Sequence, residues 1–430
     1  MSGRPDSIAF VLRGFKYPNY RLFFGGQVVS LTGSWINITA TSWLVYRLTG
    51  SALLLGVMGF ASQVPSFLLT PFAGIFVDRW NRHRLLVGTQ VLSMLHALTL
   101  AALTLSQTIT VPWLIGLSVV QGLVNAFDMP ARQAFVVTLI EDKRDLGNAI
   151  ALNSSMFNAA RFVGPTLAGA IIAASNEGWC YLIDGLSFLA AIGSLLAMRV
   201  SLPPAAEVSR VGPVQQLKEG WLYAFNHPAI RSVITLVALT CLVGVPYSVL
   251  MPVFAATVLK GGATTLGYLM TATGAGALLG ALYLAGRRSS TGFSRMIAGA
   301  AAVFGAGLVA FSFSRVLWLS MALLVVTSFG FMVQVASSNT LIQTIVEDSK
   351  RGRVMAFFLM AYFGTTPFGS LMAGSLSQRF GAPITMACGG ACCLAGAIWF
   401  SRTVPVVERA IARAGPVPGA LARPGGLTDE

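Results

Sequence analysis

"TLIEDK" (Thr138–Lys143) and "TIVEDS" (Thr344–Ser349) are one phrase written twice, 206 residues apart in a chain of 430. Other residues keep the same offset. Gly74 falls on Gly280 and Arg82 on Arg288; with one residue of slack, Gly164 falls on Gly369 and Gly169 on Gly374. An offset of nearly half the chain reads as an internal duplication.

The solvent of the duplicated unit follows from composition. The chain is 55% apolar and 10% charged, with a mean hydropathy of +0.72. A soluble domain carries about 25% charge, so a lipid bilayer surrounds most of this chain. The net charge of +14 would suit nucleic acid only as a basic face on a soluble domain. Here the basic residues stand singly between apolar runs, and nucleic acid is excluded as a partner. A spanning helix needs about 20 mainly apolar residues. Twelve such runs are read, at 22–46, 52–77, 85–105, 109–127, 148–174, 180–198, 232–257, 265–285, 296–313, 317–340, 354–377 and 384–401. The first is too long and polar for a cleaved signal and is taken as a retained span.

Charge sets the orientation. Of the 29 Lys and Arg, 24 fall in segments on the side of the termini; Arg47, Lys260, Arg315 and Arg379 fall on the other, and Arg161 inside a span. Basic residues stay in the cytoplasm, so both termini are expected there. Each copy of the repeated phrase lies after the fourth span of a six-span set. Six is even, so the halves are parallel repeats, the secondary-transporter arrangement with a midplane site. The expected units are an N-terminal tail (1–21), a six-helix bundle (22–200), a cytoplasmic linker with an interfacial helix (201–230), a second bundle (231–402) and a loose cytoplasmic tail (403–430). In the linker, Pro203 and Pro204 end the sixth span, and "VQQLKEGWLYAF" (214–225) has the spacing of a surface-lying helix.

"GIFVDRWNRHR" (Gly74–Arg84) resembles the signature loop of the major facilitator superfamily, Gly-x-x-x-Asp-Arg-x-Gly-basic-basic. The resemblance covers the whole chain. Within it, "DMPARQAF" (128–135), "NAIALNSSMFNAARFVGP" (148–165) and "YLIDGLSFL" (181–189) are similar to the bacterial exporter branch that includes enterobactin and macrolide efflux proteins. Asn81 departs from the second motif Gly; it also tolerates left-handed backbone, which would preserve the turn. The resemblance implies an all-α fold of twelve membrane helices in two parallel six-helix repeats, in the bacterial inner membrane. It implies a gate in which Gly74 allows close helix approach and Asp78 faces the N-terminus of span eleven. An acid there gains about 0.3–1 kcal/mol when exposed. Arg82 would pair with Asp128, with Arg79 and Arg84 flanking. The plainer reading of these three Arg is topology anchoring. The second copy has Leu284 for Asp78 and Gln334 for Asp128, so the lock is one-sided.

Ionisable groups inside spans are expensive and usually functional. Arg161, halfway along span five before Gly164-Pro165, either meets an anionic substrate or coupling group, or pairs structurally. Asp184, about one turn into span six, either carries a coupled proton or starts the helix with Ser187. No other acid is read inside a span. The family architecture places spans one, four, seven and ten around the cavity. That nominates Gln27, Asn37, Trp43, Gln121, Asn125, Tyr247, Gln334 and Asn339, a mixed aromatic and amide wall suited to amphipathic organic molecules.

Several signals point nowhere. "CGGACC" (Cys388–Cys393) has no His or acid near it, so no metal site is expected. "GAGALLG" (274–280) follows no strand and is read as close helix packing. No Gly-Lys pair exists, which removes a Walker A phosphate loop, and the loops hold no catalytic cluster. The chain is therefore read as a monomeric, cofactor-free exporter of a small molecule, driven by the proton gradient. A same-fold importer and a polytopic sensor remain the alternatives.

Overall fold

The computed structural model describes residues 13–198, 213–287 and 292–414. The first twelve residues, the linker residues 199–212 with Pro203 and Pro204, and the tail after Ala414 lie outside them. Within membrane, backbone groups must satisfy one another, which selects helices. Six make the first bundle: α1 (Pro18–Thr49), α2 (Ala52–Arg79), α3 (Arg82–Leu105), α4 (Val111–Thr138), α5 (Lys143–Ala174) and α6 (Glu177–Ala197). A linker helix, α7 (Pro213–Asn226), follows. The second bundle is α8 (Pro228–Val258), α9 (Ala263–Ala285), α10 (Phe293–Phe313), α11 (Leu317–Ile345), α12 (Asp348–Leu359 continued by Thr365–Phe380) and α13 (Ala382–Ala414). Eleven helices among the described residues are long and apolar enough to cross a membrane. The twelfth, α1, has the length at 32 residues; Gln27, Ser30, Asn37 and several Thr dilute its apolar character.

Local signals explain the ends. Pro at the first turn opens α1, α4 and α8, where its missing N–H costs nothing. The side chains of Asn81, Asp142 and Asn176 accept backbone N–H groups at the starts of α3, α5 and α6, as helix caps do. Gly50, at φ +60°, stops α1 in the left-handed region. Asn81, at φ −65°, is extended and not left-handed; its amide oxygen takes the Arg84 N–H at 3.1 Å instead. The motif thus replaces a glycine turn with a capped helix start.

One expected boundary changes. The C-terminal tail does not begin at residue 403, because α13 runs on to Ala414. Val404 and Val407 sit at helical spacing, are buried in a core cluster, and Glu408 meets Arg295 at 3.0 Å. The linker helix also packs on the second bundle. Trp221 stacks on Phe225 and sets its edge against Phe357 of α12.

The repeated phrase forms the turn that starts α5 and α12, and each copy receives the segment that precedes its bundle. The 3-10 turn Arg13–Lys16 docks on α5. Gly14 N–H donates to Asn148 Oδ1 at 2.8 Å. The Tyr17 hydroxyl accepts the Asp142 N–H at 3.2 Å and donates to Asp145 at 2.9 Å. Lys16 pairs with Asp145, and that hydrogen bond holds the half-exposed ammonium above its ordinary range. In the second half, Gly220 fits against the backbone of Arg353, and the Lys350 ammonium lies 4.6 Å over the Tyr223 ring. Gly14 and Gly220 are themselves 206 residues apart. The duplication therefore includes these braces as well as the helices.

Candidate functional site

With an even number of spanning helices, the start of α1 and the end of α13 fall at one end of the bundle pair, called the terminal end; the other is the distal end. The halves meet along two seams that the repeat relates. In one, α5 crosses α9: a Cβ on Gly169 would stand 2.9 Å from the Ala263 carbonyl oxygen. Thr166 and Thr271 share a hydrogen bond of 2.6 Å there. In the other, α12 crosses α2: a Cβ on Gly374 would stand 2.7 Å from the Ala52 carbonyl oxygen. Ser51 donates to Gln378 at 3.2 Å beyond it. These matched glycines, found at the repeat offset, allow backbone to touch backbone. Among the described residues, the cross-half contacts of α2 and α5 fall on residues 51–67 and 161–169, the distal halves of those helices, and α1 adds one from Thr39 to Met270 at 3.6 Å. Gly164 and Gly369, the other matched pair, pack inside their own halves, against α1 at Trp35 and α8 at Leu242 respectively.

Between the halves lies a cavity of about 500 Å³, within the range of small-molecule sites. Its wall includes Trp35, Asn37 and Thr41 of α1, Met58 and Gln63 of α2, His96 of α3, Gln121 and Asn125 of α4, Arg161 of α5, and Ser248, Met270 and Thr273 of the second half. Gln121 Nε2 donates to Asn125 Oδ1 at 3.0 Å and to Ser93 at 3.2 Å, which fixes two amides on one face of α4.

Of the eight nominated wall residues, Asn37, Gln121 and Asn125 line this cavity and five do not. Gln27 is buried between helices. Trp43 packs against the apolar core. Tyr247 bonds Ser328 at 3.0 Å beside a separate void of about 10 Å³, room for one water. Gln334 is fully buried and donates to Thr240 at 3.0 Å. Asn339 accepts from Gln343 at 3.0 Å on the same helix. The reason is facial: naming a helix as cavity-lining does not say which of its sides turns inward. Sequence reading missed the contributions of α2 and α3, while Arg161 of α5, nominated to meet an anionic substrate or coupling group, does line the cavity. A signal existed, since Leu55, Met58, Gly59, Ser62 and Gln63 share one helical face, as do Leu114, Ser118, Gln121 and Asn125.

Asp184 stands two turns into α6, which begins at Glu177; the expected one turn was short because the helix starts before its apolar stretch. It is 3% exposed. Asn37 Nδ2 donates to it at 2.7 Å, Ser34 at 3.5 Å. Thr41 continues the chain, donating to Asn37 Oδ1 at 3.1 Å and accepting from the Tyr181 hydroxyl at 3.2 Å. Arg161 sits over the Trp35 ring at 5.6 Å, and its Nε is buried without a hydrogen-bond partner.

The gate residues are only partly described. Gly74, Asp78 and Arg79 belong to the last turns of α2, but their side chains lie outside the described residues. Arg82 and Arg84 open α3. Asp128 does not meet Arg82. It accepts from Thr89 and Gln90 at 2.8 Å each and pairs with Arg132 at 2.5 Å. Arg132 is one turn along the same helix and reaches it with no loop rearrangement. Two further buried acids were missed, Asp145 and Glu177, because both fall just outside the apolar runs. Glu177 is gripped by Arg47 through two hydrogen bonds of 2.7 and 3.0 Å. Arg47 is half exposed and Glu177 is not, so the pair is asymmetric. Arg47→Met strands a buried carboxylate and is expected to cost roughly 1–3 kcal/mol. Glu177→Gln leaves an Arg that turns to water and is expected to cost less. Thermal unfolding in detergent tests the order, and equal midpoints would contradict it.

Known proteins align with this chain along most of its length. The family described as transmembrane secretion effector matches residues 11–420. The chain is 27% identical to the staphyloferrin A transporter of Staphylococcus aureus, over 84% of this chain and 90% of that protein. It is 26% identical to the multidrug efflux pump Tap of Mycolicibacterium fortuitum, over 82% and 88%. A bacterial homologue of the human lysosomal transporter Spinster, solved in an inward-facing, occupied conformation, superposes with a TM-score of 0.68 at 14% identity, over 94% of this chain and 99% of that one. With two six-helix halves around one cavity and a family match that spans both, the chain belongs to the transmembrane secretion effector family of major facilitator transporters, multi-pass membrane proteins that act on small molecules.

Proposed function

We propose that this chain is a secondary active exporter of a small amphipathic organic molecule. It works by alternating access in the bacterial inner membrane, as a monomer with both termini in the cytoplasm, driven by inward proton flow. The observation that carries the reading is the placement of the two glycine seams. Both lie in the distal half of the bundle pair, with the cavity between the same two halves. Closure at one end around a midplane chamber is what a rocking pair of repeats requires. The 24 basic residues on the terminal side put that end in the cytoplasm, so substrate enters from within. The efflux activity in the name of a relative supports the outward direction. The gate motif fits as the opposite lock. Asp78 near the end of α2 and Asp348 at the start of α12 belong to the same helix pair whose distal ends form a seam, and the motif residues Arg79, Arg82 and Arg84, with Asp128, are proposed to close the terminal end.

Purified protein in proteoliposomes tests this. An imposed pH difference is expected to drive an amphipathic dye uphill, and an ionophore that collapses the difference is expected to stop it. Dye movement that ignores the pH difference would remove the proton from the account. No movement of any organic solute would remove the transporter.

A further inference from the structure

The wall of the central cavity carries one fixed charge. Among the described residues Arg161 is its only Lys, Arg, Asp or Glu. The buried acids elsewhere do not compensate it: Asp128, Asp145 and Glu177 hold Arg132, Lys16 and Arg47. Asp184 bonds Asn37 and Ser34. Among the described residues Arg161 has no ion pair, and its guanidinium rests over the Trp35 ring at 5.6 Å with its Nε buried and unbonded. An aromatic face steadies a cation only weakly, and a charge turned to a mainly apolar wall without a counter-ion is costly. The missing partner is an anion that arrives from outside the fold.

We propose that the cavity binds an amphipathic organic anion, with Arg161 as the anchor for a carboxylate. This rests on the transporter reading above and names the substrate class of that site. The planar guanidinium fork matches a carboxylate with two parallel bonds. Gln121 Oε1, buried and without a partner, is an acceptor for a hydroxyl of the same ligand. Met58, Leu100 and Met270 give the apolar surface for its body. An organic cation finds no acid on this wall and meets a like charge in a low dielectric, where repulsion is poorly screened.

Dye binding to the full chain in lipid nanodiscs, read by fluorescence polarisation, tests the proposal. The probes are 5-carboxyfluorescein and ethidium. The wild type is expected to bind carboxyfluorescein at least tenfold more tightly than ethidium, a comparison that needs no variant. Arg161→Gln is expected to weaken carboxyfluorescein at least tenfold and leave ethidium within twofold; Arg161→Lys is expected to fall between. A wild type that prefers ethidium, or binds neither dye, overturns the proposal. So does an Arg161→Gln protein, unchanged in thermal midpoint, that holds carboxyfluorescein as tightly as the wild type. Binding is read without a gradient, so a protein that binds the anion but moves nothing refutes the exporter and not the site. A protein that pumps ethidium refutes the site and not the exporter.

Discussion

Valine in place of Gly374 is expected to lower transport at least tenfold while leaving the amount of protein in the membrane unchanged. The position has no space for a side chain: a Cβ would lie 2.7 Å from the Ala52 carbonyl oxygen and 2.8 Å from the Gly56 Cα. Both neighbours are backbone, so relief requires α2 and α12 to separate. Overpacking of this kind costs about 1–3 kcal/mol. Applied to one end of a two-state rocking equilibrium, that shifts the ratio of states by roughly 5–150-fold. The distal-closed state is the one disfavoured, and a cycle that must pass through it stalls. Gly169→Val is expected to act alike, since its Cβ would meet the Ala263 carbonyl oxygen at 2.9 Å and the Thr264 Cα at 3.0 Å. Gly193→Val is the control, a helical glycine whose Cβ would meet nothing within 4 Å. A cysteine placed on the cavity wall should become more reactive to reagents added on the distal side in both seam variants. Wild-type transport and labelling in Gly374→Val would show that this contact does not govern access.

The seams also show which parts of the molecule could be read from sequence. Duplication leaves its trace in residues that pack under constraint, and glycines at a backbone crossing are the most constrained. Gly169 and Gly374 matched at the repeat offset for that reason, and the brace glycines Gly14 and Gly220 would have matched too. The cavity wall was harder. Helix order names neighbours, but the inward face depends on a rotation that polar residues in membrane do not fix alone. Gln334 and Tyr247 bond to Thr240 and Ser328 within the second bundle, while Gln63 and His96 border the cavity. The π turns Thr240–Gly244 and Met360–Gly364 add to the difficulty. One extra residue per turn rotates everything after it, and composition gives no warning of it. Asp128 takes Arg132, a partner one turn away on the same helix, which the resemblance to the motif, pairing it with Arg82 across helices, did not indicate.

Asp184→Asn is expected to abolish the response to a pH difference, slowing gradient-driven export at least tenfold while downhill exchange of substrate continues. Four acids are buried among the described residues, and three hold a cation: Asp128, Asp145 and Glu177. Their charge is committed to structure, and exchanging a proton there would break an ion pair. Asp184 has only neutral donors, the Asn37 amide at 2.7 Å and the Ser34 hydroxyl at 3.5 Å. It therefore gives up or gains a proton without breaking a salt bridge, as carboxyls in proton pathways do. Its route to the cavity is short, because Asn37 and Thr41 are both wall residues and are joined by a hydrogen bond of 3.1 Å. Asparagine keeps the size and an acceptor oxygen but cannot carry the proton, so it separates coupling from packing. Asp128→Asn serves as the contrast: it should reduce the rate, through loss of the Arg132 pair, yet keep the pH response. In proteoliposomes the ratio of export with and without the imposed pH difference is the number to compare. If Asp184→Asn keeps the wild-type ratio, the proton travels by another route and Asp184 is a packing residue of the α1–α6 contact.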